Sequence, residues 1–194
     1  MKLHLLTAAI LFQMAVLGGE YLNSVYPLWF GEQVQLALRP VDPRSLFRGN
    51  YAELNYAISN LKGEEIVGNH DWRRGQVVYV SLALKGAYHE AISTSPEEPE
   101  EGLFIRGRIG SASEKIRTTG PRRIGSASEH HISVHFNGIN AYFAPKEKAL
   151  ALEREARDFE RDGVASAYAE VRLTSSGRPA LEEVRIVELQ EDPD

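Results

Sequence analysis

The stretch Arg39–Ile58, RPVDPRSLFRGNYAELNYAI, decides how this chain is built. It opens with a turn bracketed by two prolines, continues through a Gly-Asn-Tyr triplet, and ends with apolar residues at alternate positions. Proline and glycine favour turns, whereas apolar residues at a period of two are typical of a half-buried strand. We therefore predict a corner at which the chain turns and enters a β-domain through a strand at residues 51–59. The signature residues are Pro40, Asp42, Pro43, Arg44, Gly49, Asn50, Tyr51, Leu54 and Tyr56.

This stretch resembles the signature of the GDYXXLXY family of membrane-anchored bacterial proteins, a family that has no established activity. Residues 136–145, which include Tyr142-Phe143-Ala144-Pro145, and the final hairpin also resemble the family. The resemblance implies a bacterial membrane-anchored domain over most of the chain. Where the family pattern has Asp, this chain has Asn50, and an amide cannot serve as a general base. We therefore interpret the signature as structural and predict no catalytic residue.

The composition is that of a globular protein and not of a nucleic-acid binder. Of 194 residues, 43% are hydrophobic and 25% are charged, so the chain can bury a core. A net charge of −5 lacks the basic footprint that nucleic-acid binding requires. The chain has no cysteine, which excludes disulfides, thiolate metal sites and a cysteine nucleophile.

An apolar segment lies at the N-terminus, and three interpretations of it compete. A helix over Leu3–Tyr21 has a length of about 30 Å, which just crosses a hydrocarbon core. As a signal peptide the segment lacks a clean cleavage site, and as a core helix it lacks a polar stripe. We favour a retained anchor over residues 1–24, followed by an interfacial aromatic linker over 25–31.

The anchor also predicts a location and contacts in the membrane. Lys2 and the terminal amine favour a cytoplasmic N-terminus, which places the main domain in the periplasm outside the inner membrane. Gln13, Ala15 and Gly19 are candidates for a helix–helix contact, although small residues also scatter through any anchor. The predicted partners are therefore membrane lipids and other membrane protein subunits.

From residue 32 to residue 190 the pattern predicts one extracytoplasmic β-rich domain, followed by an acidic tail at 191–194. We expect about eight strands, because runs with a period of two alternate with glycine- and proline-bearing turns. Residues 145–162 have apolar positions at helical spacing after Pro145 and predict one amphipathic helix. The predicted fold is α+β, mostly antiparallel β and either a sandwich or barrel-like, with this helix and the N-terminal transmembrane helix.

The heptad RIGSASE occurs twice, at 108–114 and at 123–129. One duplication is too little for a solenoid, so we interpret it as a lengthened hairpin. Basic residues cluster around it and predict either an interaction surface for a partner or lipid headgroups, or a solvated loop. They are Arg106, Arg108, Lys115, Arg117, Arg122 and Arg123.

Histidines supply the only metal-site candidates in the sequence. On a strand, His131 and His135 share one face, but they lie about 13 Å apart at 3.3 Å per residue. One ion cannot bridge that distance without a bulge, and hydrogen-bonded histidines are the competing interpretation. No phosphate-loop, nucleophile-elbow or zinc-protease motif is present. We therefore predict no cofactor.

These features lead to a functional hypothesis with two alternatives. We expect a non-enzymatic, single-span accessory or scaffold subunit that docks its β-domain onto a larger membrane protein complex. A bioenergetic complex, photosynthetic or respiratory, is one host for such a subunit. The alternatives are a periplasmic ligand- or metal-binding module and a hydrolase whose site is assembled from distant residues.

Overall fold

A computed structural model describes residues 2–39, 51–68, 70–117, 127–143 and 165–188. The fold is α+β, with one long N-terminal helix and mostly antiparallel strands that form a nearly closed, barrel-like sheet. This confirms the predicted fold class. The first part of the signature (Pro40, Asp42, Pro43, Arg44, Gly49 and Asn50) and the predicted amphipathic helix at 145–162 lie outside the described residues.

Helix α1 runs over Lys2–Phe30 and includes Pro27. Its segment His4–Phe30 is long and apolar enough to span a membrane, with a mean hydropathy of 1.6. The most apolar part of that segment is exposed, whereas Pro27 near the end of the helix is buried. The helix continues through residues 25–30, so most of the predicted interfacial linker forms its last turns.

The largest sheet has five antiparallel strands in the order β3-β7-β6-β4-β5. Valine, isoleucine and alternating apolar residues explain why these segments form strands with one buried face. The strands are β3 (Asn60–Lys62), β4 (Val77–Lys85), β5 (Tyr88–Ser95), β6 (Phe104–Arg117) and β7 (Ala127–His135). A short helix α2 (Glu64–Val67) connects β3 to β4.

A second sheet has the order β1-β9-β10, and a two-stranded ladder joins β2 to β8. Their strands are β1 (Glu32–Ala37), β2 (Tyr51–Glu53), β8 (Ala141–Phe143), β9 (Ala165–Leu173) and β10 (Pro179–Glu188). The two larger sheets meet where β1 lies beside β5. There the backbone N–H of Gln35 donates to His89 Nδ1 at 3.2 Å, so a side chain satisfies the open edge of β1.

The core lies between these sheets and is almost entirely apolar. Val34, Val78, Val80, Ile105 and Val171 are fully buried and come from both larger sheets. They occupy alternate positions of their strands, which is the pattern that predicted the strands. One continuous apolar cluster therefore holds the described strands together.

The predicted strand at 51–59 is wrong in its second half. Strand β2 ends at Glu53, and Ala57–Ser59 form a 3₁₀ turn before β3. Tyr56 makes only an isolated bridge to Leu38. The alternation of Leu54, Tyr56 and Ile58 still places all three in the core, because a 3₁₀ turn can bury a side chain that a strand would bury.

The duplicated heptad lies in a long hairpin of β6 and β7. The first copy is inside β6, and the end of the second copy, Ala127–Glu129, pairs with Lys115–Arg117. Within the described residues, the second copy therefore does not pair with the first. The first copy begins in the part of β6 that packs on the core, where Ile109 is 1% exposed. The interpretation of a lengthened hairpin stays a prediction.

Candidate functional site

The second half of the signature forms a buried corner, which we call the signature corner (Tyr51–Ser59). Tyr56 is 1% exposed, and its hydroxyl donates to the carbonyl of Ile139 at 2.7 Å. The Tyr56 ring meets the Phe136 ring edge to face at 6.4 Å. Burial raises the pKa of Tyr56 well above its ordinary value, because the anion would lose its hydration.

Backbone hydrogen bonds join this corner to three other segments. Arg39 N–H donates to the Asn55 carbonyl at 2.7 Å, and Leu54 N–H donates to the Asn140 carbonyl at 2.8 Å. Strand β2 pairs with β8, which contains the Tyr142-Phe143 dipeptide that resembles the family. The corner therefore connects β1, β8 and the turn at 137–140. Its role in the described structure is to hold these segments together.

A small polar cleft of about 120 Å³ opens beside the corner. Amides, hydroxyls and one imidazole form its polar lining, so it offers hydrogen-bond donors and acceptors. The lining side chains of this kind are Asn55, Ser59, Asn60, Ser133, His135 and Asn140. Among the described residues that line it there is no carboxylate, so the lining seen here supplies no carboxylate acid–base pair.

A β-bulge shapes one wall of the cleft. The register of β6 against β7 shifts between Ile109 and Ser111, at the first copy of the duplicated heptad. Ser133 satisfies the bulge, since its Oγ accepts from Ser111 N–H at 2.8 Å. A Cβ on Gly110 would meet the His135 ring, so glycine at this position lets the imidazole lie over the strand.

The two candidate metal ligands face different hollows. His135 lines the cleft beside the signature corner, whereas His131 lines a separate hollow with His70, Asp71 and His130. In the part of the chain that the structure describes, no three histidine, aspartate or glutamate side chains are grouped for a metal ion. The metal site at His131 and His135 therefore stays a prediction.

A second polar cluster joins α1 to the β-domain, and we call it the helix–domain junction (Asn23, Gly31, Arg172 and Arg178). Arg178 Nη1 donates to Asn23 Oδ1 at 2.6 Å, and Arg172 Nη1 donates to the Gly31 carbonyl at 3.4 Å. Arg172 also pairs with Glu182 at 2.7 Å. The hydrogen bond to Glu182 raises the pKa of Arg172 above its ordinary value.

The helix–domain junction allows little change at Gly31. A Cβ at that position would meet the Pro27 carbonyl and the Arg172 side chain at under 3 Å. The Gly31 N–H donates to the same Pro27 carbonyl at 2.8 Å, which closes the end of α1. Glycine therefore lets the chain leave the helix and enter β1 directly beneath β9.

The candidate membrane contacts lie on two faces of α1. At 100° per residue, Ala15 and Gly19 are about 40° apart, whereas Gln13 lies about 160° from Ala15. A Cβ on Gly19 would meet nothing within 4 Å in the isolated chain. Ala15 and Gly19 therefore form one small-residue face, and Gln13 belongs to another.

The predicted basic cluster is only partly within the described structure. Arg106 and Arg108 are exposed on the outer face of β6. Lys115 and Arg117 belong to the far end of β6, beyond its bulge, and Arg122 and Arg123 lie outside the described residues. The structure brings the first two together with Arg178, which comes from the turn between β9 and β10.

Three residues that hold the architecture together had no signal in the sequence. His89 accepts the open-edge N–H of β1, and Asn23 with Arg178 joins the helix to the domain. Each is an isolated polar residue with a partner far away in the chain.

Comparison with known proteins gives one match. A family model described as GDYXXLXY protein matches residues 13–184. The match begins within α1 and ends within β10, so it includes the signature corner and the helix–domain junction. No curated protein and no solved structure matches the chain.

Proposed function

The chain belongs to the GDYXXLXY family, and on that premise we propose that it is a non-enzymatic, single-span accessory subunit of a larger membrane protein complex. Its β-domain docks on the extramembrane part of the complex, and α1 anchors it in the bilayer. We place the N-terminus in the cytoplasm and the domain in the periplasm, outside the inner membrane. Lys2 and the terminal amine support that orientation through the positive-inside rule.

The observation that carries this proposal is an unpacked apolar helix held at a defined angle to its domain. Large side chains along α1, such as Leu11, Phe12 and Met14, are more than 60% exposed. A plain tether needs no contact with the domain beyond the peptide chain. Here the helix–domain junction adds hydrogen bonds from Arg172 and Arg178, which support a fixed presentation of the domain above the membrane.

Docking on a fixed partner is the task that such a geometry serves. If the domain moved freely about the anchor, ordering it on binding would oppose association. An anchored domain that already has its orientation avoids most of that cost. The same argument supports a partner within the membrane, since the Ala15–Gly19 face of α1 allows close approach of another helix.

Co-purification from the native membrane tests the proposal. A tagged full-length chain is extracted with a mild detergent and separated by native electrophoresis and size-exclusion chromatography. We expect it to migrate with a stoichiometric set of larger membrane subunits, and respiratory and photosynthetic complexes are the first hosts to probe. Recovery of the chain only as a free monomer would sink the proposal.

A matched pair of variants then tests the membrane contact. Gly18 and Gly19 are neighbours in α1, and a Cβ on either would meet nothing within 4 Å in the isolated chain. Their side-chain directions differ by 100°. Gly18 lies 60° from Ala15 and therefore borders the Ala15–Gly19 face. We expect Gly19→Leu to reduce the yield of the complex and Gly18→Leu to reduce it less. Equal yields from both variants would show that the Ala15–Gly19 face makes no such contact.

A further inference from the structure

We propose that a groove beside β6 binds the phosphate of an anionic phospholipid headgroup. Three arginines line this groove, which we call the arginine groove (Arg106, Arg108 and Arg178). Its volume is about 200 Å³, and the side chain of Asn137 completes its polar lining. This site concerns the lipid and does not depend on the identity of a protein partner.

The groove exists because β7 is shorter than β6 at this end. The last residue of β7, His135, pairs with Arg108, so β6 residues before Arg108 have no neighbour on that side. The turn between β9 and β10 fills the gap, and Arg106 N–H donates to the Gly177 carbonyl at 2.8 Å. Arg178 follows Gly177 directly and is thereby placed next to Arg106 and Arg108.

Gly177 makes this close approach feasible. Its φ is +71°, a conformation that a side chain disfavours, and an added Cβ would lie 2.6 Å from the Phe104 ring. The glycine therefore lets the turn lie flat on Phe104 while its carbonyl reaches β6. Both the positive φ and the close contact with Phe104 therefore favour glycine at position 177, where the turn meets β6.

The groove lies at the level of the lipid headgroups. From Lys2 to Asn23, α1 has a length of about 33 Å at 1.5 Å per residue, which matches the hydrocarbon core. Asn23 therefore lies where that core ends, and Arg178 Nη1 is 2.6 Å from its Oδ1. The later turns of α1 bear exposed Tyr26 and Trp29, which suit the interfacial layer.

The strand topology independently places the groove at the level of the lipid headgroups. Glu32, the first residue of β1, pairs with Leu173, the last residue of β9, next to the end of α1. The turn that follows Leu173 runs back along α1 from Gly31 to Asn23, toward the membrane. Thus the β9–β10 turn is the part of this sheet that lies closest to the bilayer.

The charges of the groove are available to an anion, in contrast to those of neighbouring arginines. Arg172 pairs with Glu182, and Arg185 pairs with Glu170 and Glu183. Within the described ranges, no carboxylate lies within ion-pair distance of an arginine of the groove. Arg108 donates to the Gly75 carbonyl at 3.0 Å and keeps further N–H groups free, since a guanidinium has five.

A single phosphate ester suits this arrangement better than a nucleic acid. Guanidinium groups bind phosphate oxygens in a bidentate manner, and three of them can share one phosphate. The net charge of −5 opposes binding of a long polyanion to the rest of the surface. A single anionic headgroup beside the helix matches the positive charge of the groove, its volume and its position at the membrane surface.

Lipid binding to the full-length protein tests the proposal. The chain is purified in a non-ionic detergent and titrated with dioctanoyl-phosphatidylglycerol, dioctanoyl-phosphatidylcholine or inorganic phosphate, and bound ligand is measured by native mass spectrometry. We expect the anionic lipid to bind most tightly. An arginine close to an anionic lipid raises the affinity about fivefold. We therefore expect Arg106→Gln to lower the affinity for phosphatidylglycerol by about that factor.

The control is Arg39→Gln, which removes the same charge at the opposite end of β1. Arg39 is exposed as Arg106 is. It follows the end of β1 opposite to Glu32, and Glu32 is the end that pairs beside the β9–β10 turn. We expect this variant to keep the affinity of the unmodified protein. Arg108→Gln provides a second variant in the groove and should weaken phosphatidylglycerol by a similar factor, and unchanged thermal melts show that each variant is folded.

Three results would overturn the assignment. Equal affinity for phosphatidylglycerol and phosphatidylcholine would show that the groove does not discriminate between lipids by the charge of the headgroup. Equal losses for Arg106→Gln and Arg39→Gln would show that net charge alone attracts the lipid. Inorganic phosphate that binds as tightly as the anionic lipid would make the ligand a soluble anion.

Discussion

The signature corner and the helix–domain junction perform different tasks with different chemistry. In the corner, Tyr56 is buried among apolar residues, and its one polar atom is paired with the Ile139 carbonyl. At the junction, Arg178 and Asn23 are both exposed to solvent and meet through one hydrogen bond. Buried apolar area stabilises the fold, whereas an exposed polar contact mainly selects one orientation. We therefore expect damage to the corner to unfold the domain, and damage to the junction to free the anchor.

Truncation of the signature tyrosine should have the largest effect. Tyr56→Ala removes a buried aromatic side chain and should lower the free energy of unfolding by about 3–5 kcal/mol. Tyr56→Phe keeps the ring but leaves the Ile139 carbonyl unpaired, at a cost of about 1–3 kcal/mol. Urea titration of the full-length protein in nanodiscs, followed by the fluorescence of buried Trp72, measures both. A loss below 1 kcal/mol for Tyr56→Ala would show that the corner does not carry the core.

Substitution of the turn glycine Gly177 should have the next largest effect, because this residue places the β9–β10 turn, and with it Arg178, on β6. Gly177→Ala combines a left-handed backbone with a clash against Phe104 and should cost about 2–4 kcal/mol. Gly86→Ala is the matched control, since its φ is +64° and nothing lies within 4 Å of an added Cβ. The same urea titration compares them. Similar losses at the two positions would show that backbone conformation alone, and not contact with Phe104, requires Gly177.

Alkaline pH should weaken the corner selectively. The folded protein holds the pKa of Tyr56 above its ordinary value near 10, so above that pH the unfolded chain binds fewer protons than the folded chain. The contribution of Tyr56 is therefore complete below about pH 10 and is lost as pH rises, by up to about 1.4 kcal/mol per pH unit. The difference between the unmodified protein and Tyr56→Phe isolates this residue from other tyrosines. A difference that stays constant from pH 9 to pH 11 would contradict the expected slope.

The polar contact between α1 and the domain should have the smallest effect on stability. Asn23→Ala removes the acceptor of Arg178, and we expect no measurable change in the urea midpoint. We expect instead a broader distribution of distances between spin labels on α1 and on β4 in pulsed electron resonance. Ser24→Ala, on the next residue of the helix, controls for the substitution itself. An unchanged distance distribution would show that the remaining contacts hold the helix without Asn23.

The spacing of apolar residues along the chain explains how much of the fold could be predicted from the sequence. Strands such as β4 and β9 were predicted because apolar residues alternate along them, and that period persists in the folded core. The anchor was predicted because a long run of apolar residues has few other stable solutions. The strand at 51–59 failed in part, since alternation reports burial and does not distinguish a strand from a 3₁₀ turn that buries the same residues.

The candidate site was harder to predict because its residues are isolated and polar. Arg106 and Arg108 were noticed as members of a basic cluster, but the groove that they line together with Arg178 was not predicted. The residues around Arg178 do not predict its interaction with Asn23, which is 155 positions away in the sequence. The two histidines on β7 line different hollows, because different segments of the chain surround each of them.

By itself the sequence determined the class of the protein: an apolar N-terminal helix long enough to span a membrane, a β-rich domain and a buried corner within it. These features depend on composition and on periods of a few residues, which any stretch of chain expresses locally. Only the tertiary structure decided how the sheets close through His89, how the domain is held on α1, and where three arginines meet. Those features depend on single polar contacts between distant segments, and such contacts leave no periodic trace in the sequence.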